Sequence, residues 1–211
     1  MSVSISTVEQ PETFGFNNDN KAKVKEIIAK YPEGRQSSAV MPLLDLAQRQ
    51  HQGWLPKAAM DHIADMLGMP AIKVYEVASF YTMYNLAPVG EYHVQVCTNI
   101  SCFIRGSDEI AAACKKALGV EFGETTKDGK FTLAEVECLG ACVNAPMIQV
   151  NDDFYEDLTA ESVTRVLEAM KKGETPTAGP QGARKGCMPA NGLTTLMDQA
   201  DLAAKVQGGK G

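Results

Sequence analysis

With 211 residues, the chain has room for one ordinary domain with an appendage, or for two small domains. Hydrophobic residues at 45% and charged residues at 22% are the proportions of a globular protein, and a formal net charge of −6 with no basic stripe argues against a nucleic-acid partner. No run approaches the roughly 18 apolar residues of a membrane span, so direct membrane insertion is not expected.

The first residues lack a basic stretch followed by an apolar core, and the early acids Glu9, Glu12 and Asp19 do not suit a transit peptide. Residues 1–19 carry little periodicity and read as a flexible leader. Asn20 is the expected cap of a first helix, with Val24, Ile27, Ile28 and Tyr31 at i, i+3, i+4 and i+7. Ser37 or Ser38 is the expected cap of a second, with Val40, Leu43, Leu44 and Ala47 inward and Pro42 tolerated near its first turn. Gly53 stops it. Pro56 starts a third helix with Met60, Ile63 and Leu67 inward and Gly68 past its end. Pro70 starts a fourth, carrying Val74, Val77 and Ala78. Residues 20–80 therefore read as a helical bundle.

The period changes after Pro88-Val-Gly90. Tyr92, Val94 and Val96 alternate with His93 and Gln95, as in a strand. Ser107 is the expected cap of a helix whose apolar face holds Ile110, Ala113, Cys114, Ala117 and Leu118. Lys127-Asp-Gly-Lys130 is a turn signal before the strand Phe131–Val136. Met147–Val150 and Asp153–Tyr155 flank Asn151-Asp152 as a hairpin, and Thr159 caps a last helix with Val163, Val166, Leu167 and Met170 inward. This order suggests an α+β or α/β sandwich of thioredoxin type. From Gly173 the composition turns to Gly, Pro and Thr, apart from a weak pattern at Leu193–Val206. Such a tail reads as disordered alone or laid along a partner.

Of six cysteines, four fall in two pairs, Cys97-x4-Cys102 and Cys138-x3-Cys142. Each pair follows a predicted strand, which places two chelating loops at neighbouring strand ends. Thiolate sulfur is the usual ligand of iron–sulfur clusters, and a [2Fe–2S] rhombus takes four. Gly140 and Ala141 leave room for backbone N–H groups to reach the sulfurs. The same sulfurs could hold zinc, although structural zinc favours tighter C-x2-C knuckles. A thiol–disulfide enzyme would want a C-x-x-C motif, and a disulfide framework would want a secretory signal. Cys114 reads as a small core residue, and Cys187 is assigned no role. His51, His62 and His93 have no ligand spacing, Trp54 reads as packing at a helix junction, and the acids Asp152, Asp153, Glu156 and Asp157 read as a solvated face. No G-x-G-x-x-G or phosphate-binding loop and no Ser/His/Asp pattern is present, so no catalytic residue is assigned.

Glu137-Cys-Leu-Gly-Ala-Cys-Val-Asn-Ala-Pro146, preceded by Pro88-Val-Gly90 and His93-Val-Gln-Val-Cys97, resembles the 24 kDa subunit family of NADH:quinone oxidoreductase, respiratory complex I. These are thioredoxin-like [2Fe–2S] ferredoxins. The similarity runs from about Lys21 to Lys172 and includes Phe80-Tyr-Thr-Met-Tyr84 and Asn151–Leu158. The tail matches more loosely, with Gln181-Gly-Ala-Arg-Lys185 where relatives tend to be Arg-rich. The resemblance implies an α+β fold: an N-terminal helical bundle, a thioredoxin-like [2Fe–2S] domain over residues 88–172, and an extended tail over 173–211. It implies one [2Fe–2S] cluster on Cys97, Cys102, Cys138 and Cys142, with FMN and NADH bound by a flavoprotein subunit. A large iron–sulfur subunit of the peripheral arm is the second implied partner. The implied place is the cytoplasmic side of a bacterial inner membrane, or the mitochondrial matrix side. Two other readings stay open: the homologous diaphorase subunit of an NAD-reducing hydrogenase or formate dehydrogenase, and a zinc-stapled interaction module.

Overall fold

In a computed structural model, residues 9–189 are described, and they fall into two compact units. One runs to His93 and takes in Gly123–Thr132. The other comprises Val94–Phe122 and the described chain after Thr132. Residues 1–8 of the expected leader and the weak Leu193–Val206 pattern lie outside the described residues.

The first unit is built from four helices: α1 (Asn18–Ala29), α2 (Val40–Gln50), α3 (Lys57–Leu67) and α4 (Ala71–Phe80). A 3-10 turn, Gln36–Ala39, leads into α2. Their shared core holds Val24, Leu43, Leu44, Ala47, Met60, Ile63, Val74 and Ala78. The stripes expected for α2, α3 and α4 account for most of it. Pro56 and Pro70 occupy the cap positions of α3 and α4, and Gly68 ends α3 in the left-handed conformation. Three expectations are corrected. The cap of α1 is Asn17, whose side chain accepts from the Asn20 N–H at 2.8 Å. Asn20 itself is buried and donates to Gln50 Oε1 at 3.0 Å. The leader is also not loose throughout: Phe16 joins the core, Phe14 meets it edge-on at 5.3 Å, and Gln10 accepts from the Lys57 N–H at 2.8 Å. No side chain caps α2, because the 3-10 turn supplies its entry.

A six-stranded mixed sheet has the order β2-β3-β1-β4-β5-β6, with β1 at Tyr92–Cys97, β2 at Glu124–Thr125, β3 at Phe131–Val136, β4 at Ile148–Val150, β5 at Asp153–Glu156 and β6 at Gly179–Pro180. β1 runs antiparallel to β4, with Val94 opposite Val150 and Val96 opposite Ile148. β4 and β5 form the expected hairpin, turning at Asn151 with φ +54. Gly90 is required where it stands. A Cβ there would lie 2.8 Å from the carbonyl carbon and oxygen of Lys130, and its N–H donates to Thr132 Oγ1 at 2.6 Å.

The second unit holds a short helix, α5 (Ile100–Ile104), and two long ones, α6 (Ser107–Leu118) and α7 (Ala160–Lys171), which pack on each other. α7 buries Val163, Val166, Leu167 and Met170 and is capped by Thr159 through a reciprocal bond pair with Ser162. Ser107 is not the cap of α6: Gly106, left-handed at φ +92, takes that position and Ser107 is fully buried. The tail differs from expectation as far as it is described. Gly179 and Pro180 pair in parallel with Tyr155 and Glu156, and Gln181 N–H donates to Glu156 O at 2.8 Å. It is laid on its own unit. The acidic run is correspondingly not all solvated, for Asp157 forms a mostly buried ion pair with Arg184.

Candidate metal centre

β1 delivers Cys97 at its last residue, where the Cys97 N–H donates to Met147 O at 3.4 Å and the Thr98 N–H to Val136 O at 3.2 Å. The segment that follows is not a bare loop, as expected, but the helix α5. Asn99 caps it by accepting from the Ile100 N–H at 2.8 Å, while its amide donates to Glu137 Oε2 at 2.5 Å. That bond ties the first cysteine segment to the residue just before the second. One turn of α5 brings Cys102 back beside Cys97, and the two are 1% and 2% exposed among Ala145 and Met147.

β3 ends at Val136, and the second pair follows on a tight, exposed turn. Gly140 adopts φ +87, the left-handed conformation open to glycine, and its N–H donates to Cys138 Sγ at 3.4 Å. Cys138 Sγ and Cys142 Sγ are 3.2 Å apart. Cys142 then opens a 3-10 turn to Asn144.

The two pairs lie near enough for the charge of one to act on the other. Burial pushes Cys102 up to about 12, with the hydrogen bond its S–H donates to Cys97 and the charge of Cys97 adding to this, the Met147 N–H opposing it, and the charge of Cys142 adding a little further. Cys142 is raised by its bond to Cys138 and by the charges of Cys138 and Cys97, against a hydrogen bond with Ser101. Cys138 is lowered, chiefly by the Gly140 N–H. Among the described residues, no three His, Cys, Asp or Glu groups meet at one ion's position. The sulfurs stand as pairs. Two sulfurs for each of two metal atoms is the donor distribution of a [2Fe–2S] cluster, so the residues present fit that group.

Cys114 is fully buried on α6, and burial alone pushes its thiol up to about 12. Cys187 is exposed on the tail. His51 packs its ring 4.8 Å from Trp54 and His93 is half-buried; burial lowers both below the usual value. Sequence reasoning missed the groups that steady the cysteines. Ser101 was open to it as a hydroxyl next to Cys102, whereas the Met147 N–H depends on chain folding from afar.

Residues 24–171 match the family model described as thioredoxin-like [2Fe-2S] ferredoxin. Over 185 residues the chain is 53% identical to the Dictyostelium discoideum protein named NADH dehydrogenase [ubiquinone] flavoprotein 2, mitochondrial, which covers 88% of this chain and 75% of that one. Over 158 residues it is 56% identical to a subunit of NADH-quinone oxidoreductase from Rickettsia conorii, covering 75% and 95% of the two chains. Among solved structures, an NAD+-reducing [NiFe]-hydrogenase in the H2-reduced state aligns with a TM-score of 0.54 at 20% identity, over 62% of this chain and 22% of that one. This last likeness concerns the fold alone.

Proposed function

This chain belongs to the thioredoxin-like [2Fe–2S] ferredoxin family, and from that premise we propose that it is the electron-transfer subunit of an NADH:quinone oxidoreductase, with Cys97, Cys102, Cys138 and Cys142 holding one [2Fe–2S] cluster. The observation that carries the reading is the pairing of sulfurs, one pair buried and one exposed, within mutual electrostatic reach. When bound, such a cluster supplies a store for one electron. The protein's part is to hold it. Cys97 and Cys102 keep two sulfurs away from water, and the Gly140 N–H, the Met147 N–H and Ser101 favour the anionic sulfurs by hydrogen bonding.

A chain that stores an electron needs a donor and an acceptor. α5 supports a docking role, since it buries Cys102 yet leaves Ile100, Phe103 and Ile104 at 71%, 58% and 75% exposure. Val143, next to Cys142, is exposed too. Large apolar side chains in water beside the exposed cysteines suit a protein partner. The partners in this reading are a flavoprotein subunit that binds FMN and NADH, and the large iron–sulfur subunit of the peripheral arm. In this reading residues 88–172 are the cluster-bearing domain and 20–80 the helical one, although residues 88–93 and Gly123–Thr132 group with the helical unit. No described helix is long and apolar enough to cross a membrane. The place in this reading is the peripheral arm, on the cytoplasmic side of a bacterial inner membrane or the matrix side of a mitochondrial one. The diaphorase alternative is supported by fold likeness only, and the names of the relatives at 53% and 56% identity favour the oxidoreductase.

The test is metal analysis of the purified chain. Iron and acid-labile sulfide in equal amounts, with a [2Fe–2S] EPR signal on strong reduction, are expected; zinc in their place would overturn the reading in favour of an interaction module.

A further inference from the structure

One guanidinium in the tail reaches the turn that carries Cys142. Arg184 Nη1 donates to Val143 O at 3.2 Å and to Met188 O at 3.4 Å, while Nη2 meets Asp157 Oδ1 at 2.5 Å. Both charged side chains are mostly out of water, at 16% and 13% exposure. A second cross-tie lies alongside. Asn144, buried, donates through Nδ2 to Glu156 Oε2 at 2.6 Å and to Gly186 O at 3.0 Å. The Asp157 N–H donates to Asn144 O at 2.8 Å, and Asp157 is itself held in the left-handed conformation at φ +50. The tail, the end of β5 and the turn Cys142–Asn144 are thus knotted together by polar bonds.

We propose that Arg184 is a positioning residue for the cluster, fastening the Cys142 turn to the end of β5 and so setting how firmly the exposed sulfur pair keeps its metal. The inference rests on the cluster reading above. The exposed pair needs such support more than the buried pair does. Cys97 and Cys102 are fixed by strand, helix and core, whereas Cys138 and Cys142 sit on a surface turn whose own bonds are few. The planar fork of arginine serves three acceptors in different directions, which a single lysine ammonium does not reproduce. With Arg184 removed, the Asp157 carboxylate would be left poorly solvated and unpaired, and its movement would pull on the Asn144 carbonyl. Groups that orient metal ligands typically change metal affinity ten- to a hundredfold when lost.

The experiment uses the full-length, cluster-loaded chain as wild type, Arg184→Ala, Arg184→Lys and, as a control on the exposed face of α7, Arg165→Ala. Bleaching of the visible absorbance in the presence of an iron chelator reports release, and EPR of the reduced protein reports the geometry at the sulfurs. Arg184→Ala should bleach about tenfold faster than wild type and give shifted g-values, with Arg184→Lys between and Arg165→Ala unchanged. Wild-type bleaching and an unaltered EPR signal in Arg184→Ala, even with faster proteolysis of the tail, would reduce Arg184 to a tail anchor and overturn the proposal. Should Arg184→Ala not fold, Asp157→Asn must show the same faster release, and a wild-type rate there overturns the proposal equally. A wild-type chain free of iron would instead defeat the cluster reading itself.

Discussion

Gly140 donates its N–H to Cys138 at 3.4 Å and holds that thiol below its usual range, while burial alone pushes Cys114 up to about 12. The two cysteines differ in surroundings, and their serine variants should differ in consequence. Cys138→Ser is expected to lose or distort the cluster. Cys114→Ser should retain it and lose about 1–3 kcal/mol of stability, the cost of a buried hydroxyl without a good partner. Iron content and urea unfolding check the pair, and equal iron loss in both variants would contradict the assignment of ligands. The histidines give a pH dependence. Burial lowers His51 and His93 from 6.5, so each binds its proton less readily folded than unfolded. Their contribution is complete above 6.5; as pH falls below it the unfolded chain takes up protons first, and stability drops until the lower folded value is passed. Urea midpoints followed from about pH 7.5 to about 5.5 should decline, and His93→Gln should flatten the slope. An unchanged slope in that variant would remove His93 from the explanation.

At the scale of elements, the turn into β1 depends on close backbone approach. Gly90→Ala would place a methyl 2.8 Å from the Lys130 carbonyl, against backbone that cannot swing aside, and should cost about 1–3 kcal/mol, read as a lowered melting temperature. A melting temperature equal to wild type would show that the approach is not needed. The helices were the most legible elements, because burial in a helix repeats along the chain. Val163, Val166, Leu167 and Met170 form one stripe, and all four are buried. Caps were less legible: Asn17 and Asn20 are the same residue type three positions apart, and only the bond from one to the other tells which is outside the helix. β2, of two residues, is too short to have a period. α5 hides around Cys102 because five residues hold little more than one helical turn. The tail's place follows from bonds such as Arg184 to Asp157, 27 residues apart, which leave no local pattern.

For the whole molecule, family membership covers residues 24–171, and the fold inside it does one main thing for the site. It draws near each other two cysteine pairs separated by 35 residues, by way of two strand ends and the bonds Asn99 to Glu137 and Thr98 to Val136. Spacing within each pair was readable from the sequence. Their placement at neighbouring strand ends was readable as well, whereas the bonds that tie the two segments, Asn99 to Glu137 and Thr98 to Val136, leave no local pattern. The apolar surface of α5 extends the same logic outward, from the sulfurs proposed to hold the cluster to a face that a partner can cover. The most direct measurement is X-ray absorption at the iron edge of the purified chain. Iron bonded to sulfur alone, with a second iron as near neighbour, is the expected result. Nitrogen or oxygen bonded to iron, an isolated iron, or zinc in its place would contradict a two-iron cluster held by Cys97, Cys102, Cys138 and Cys142.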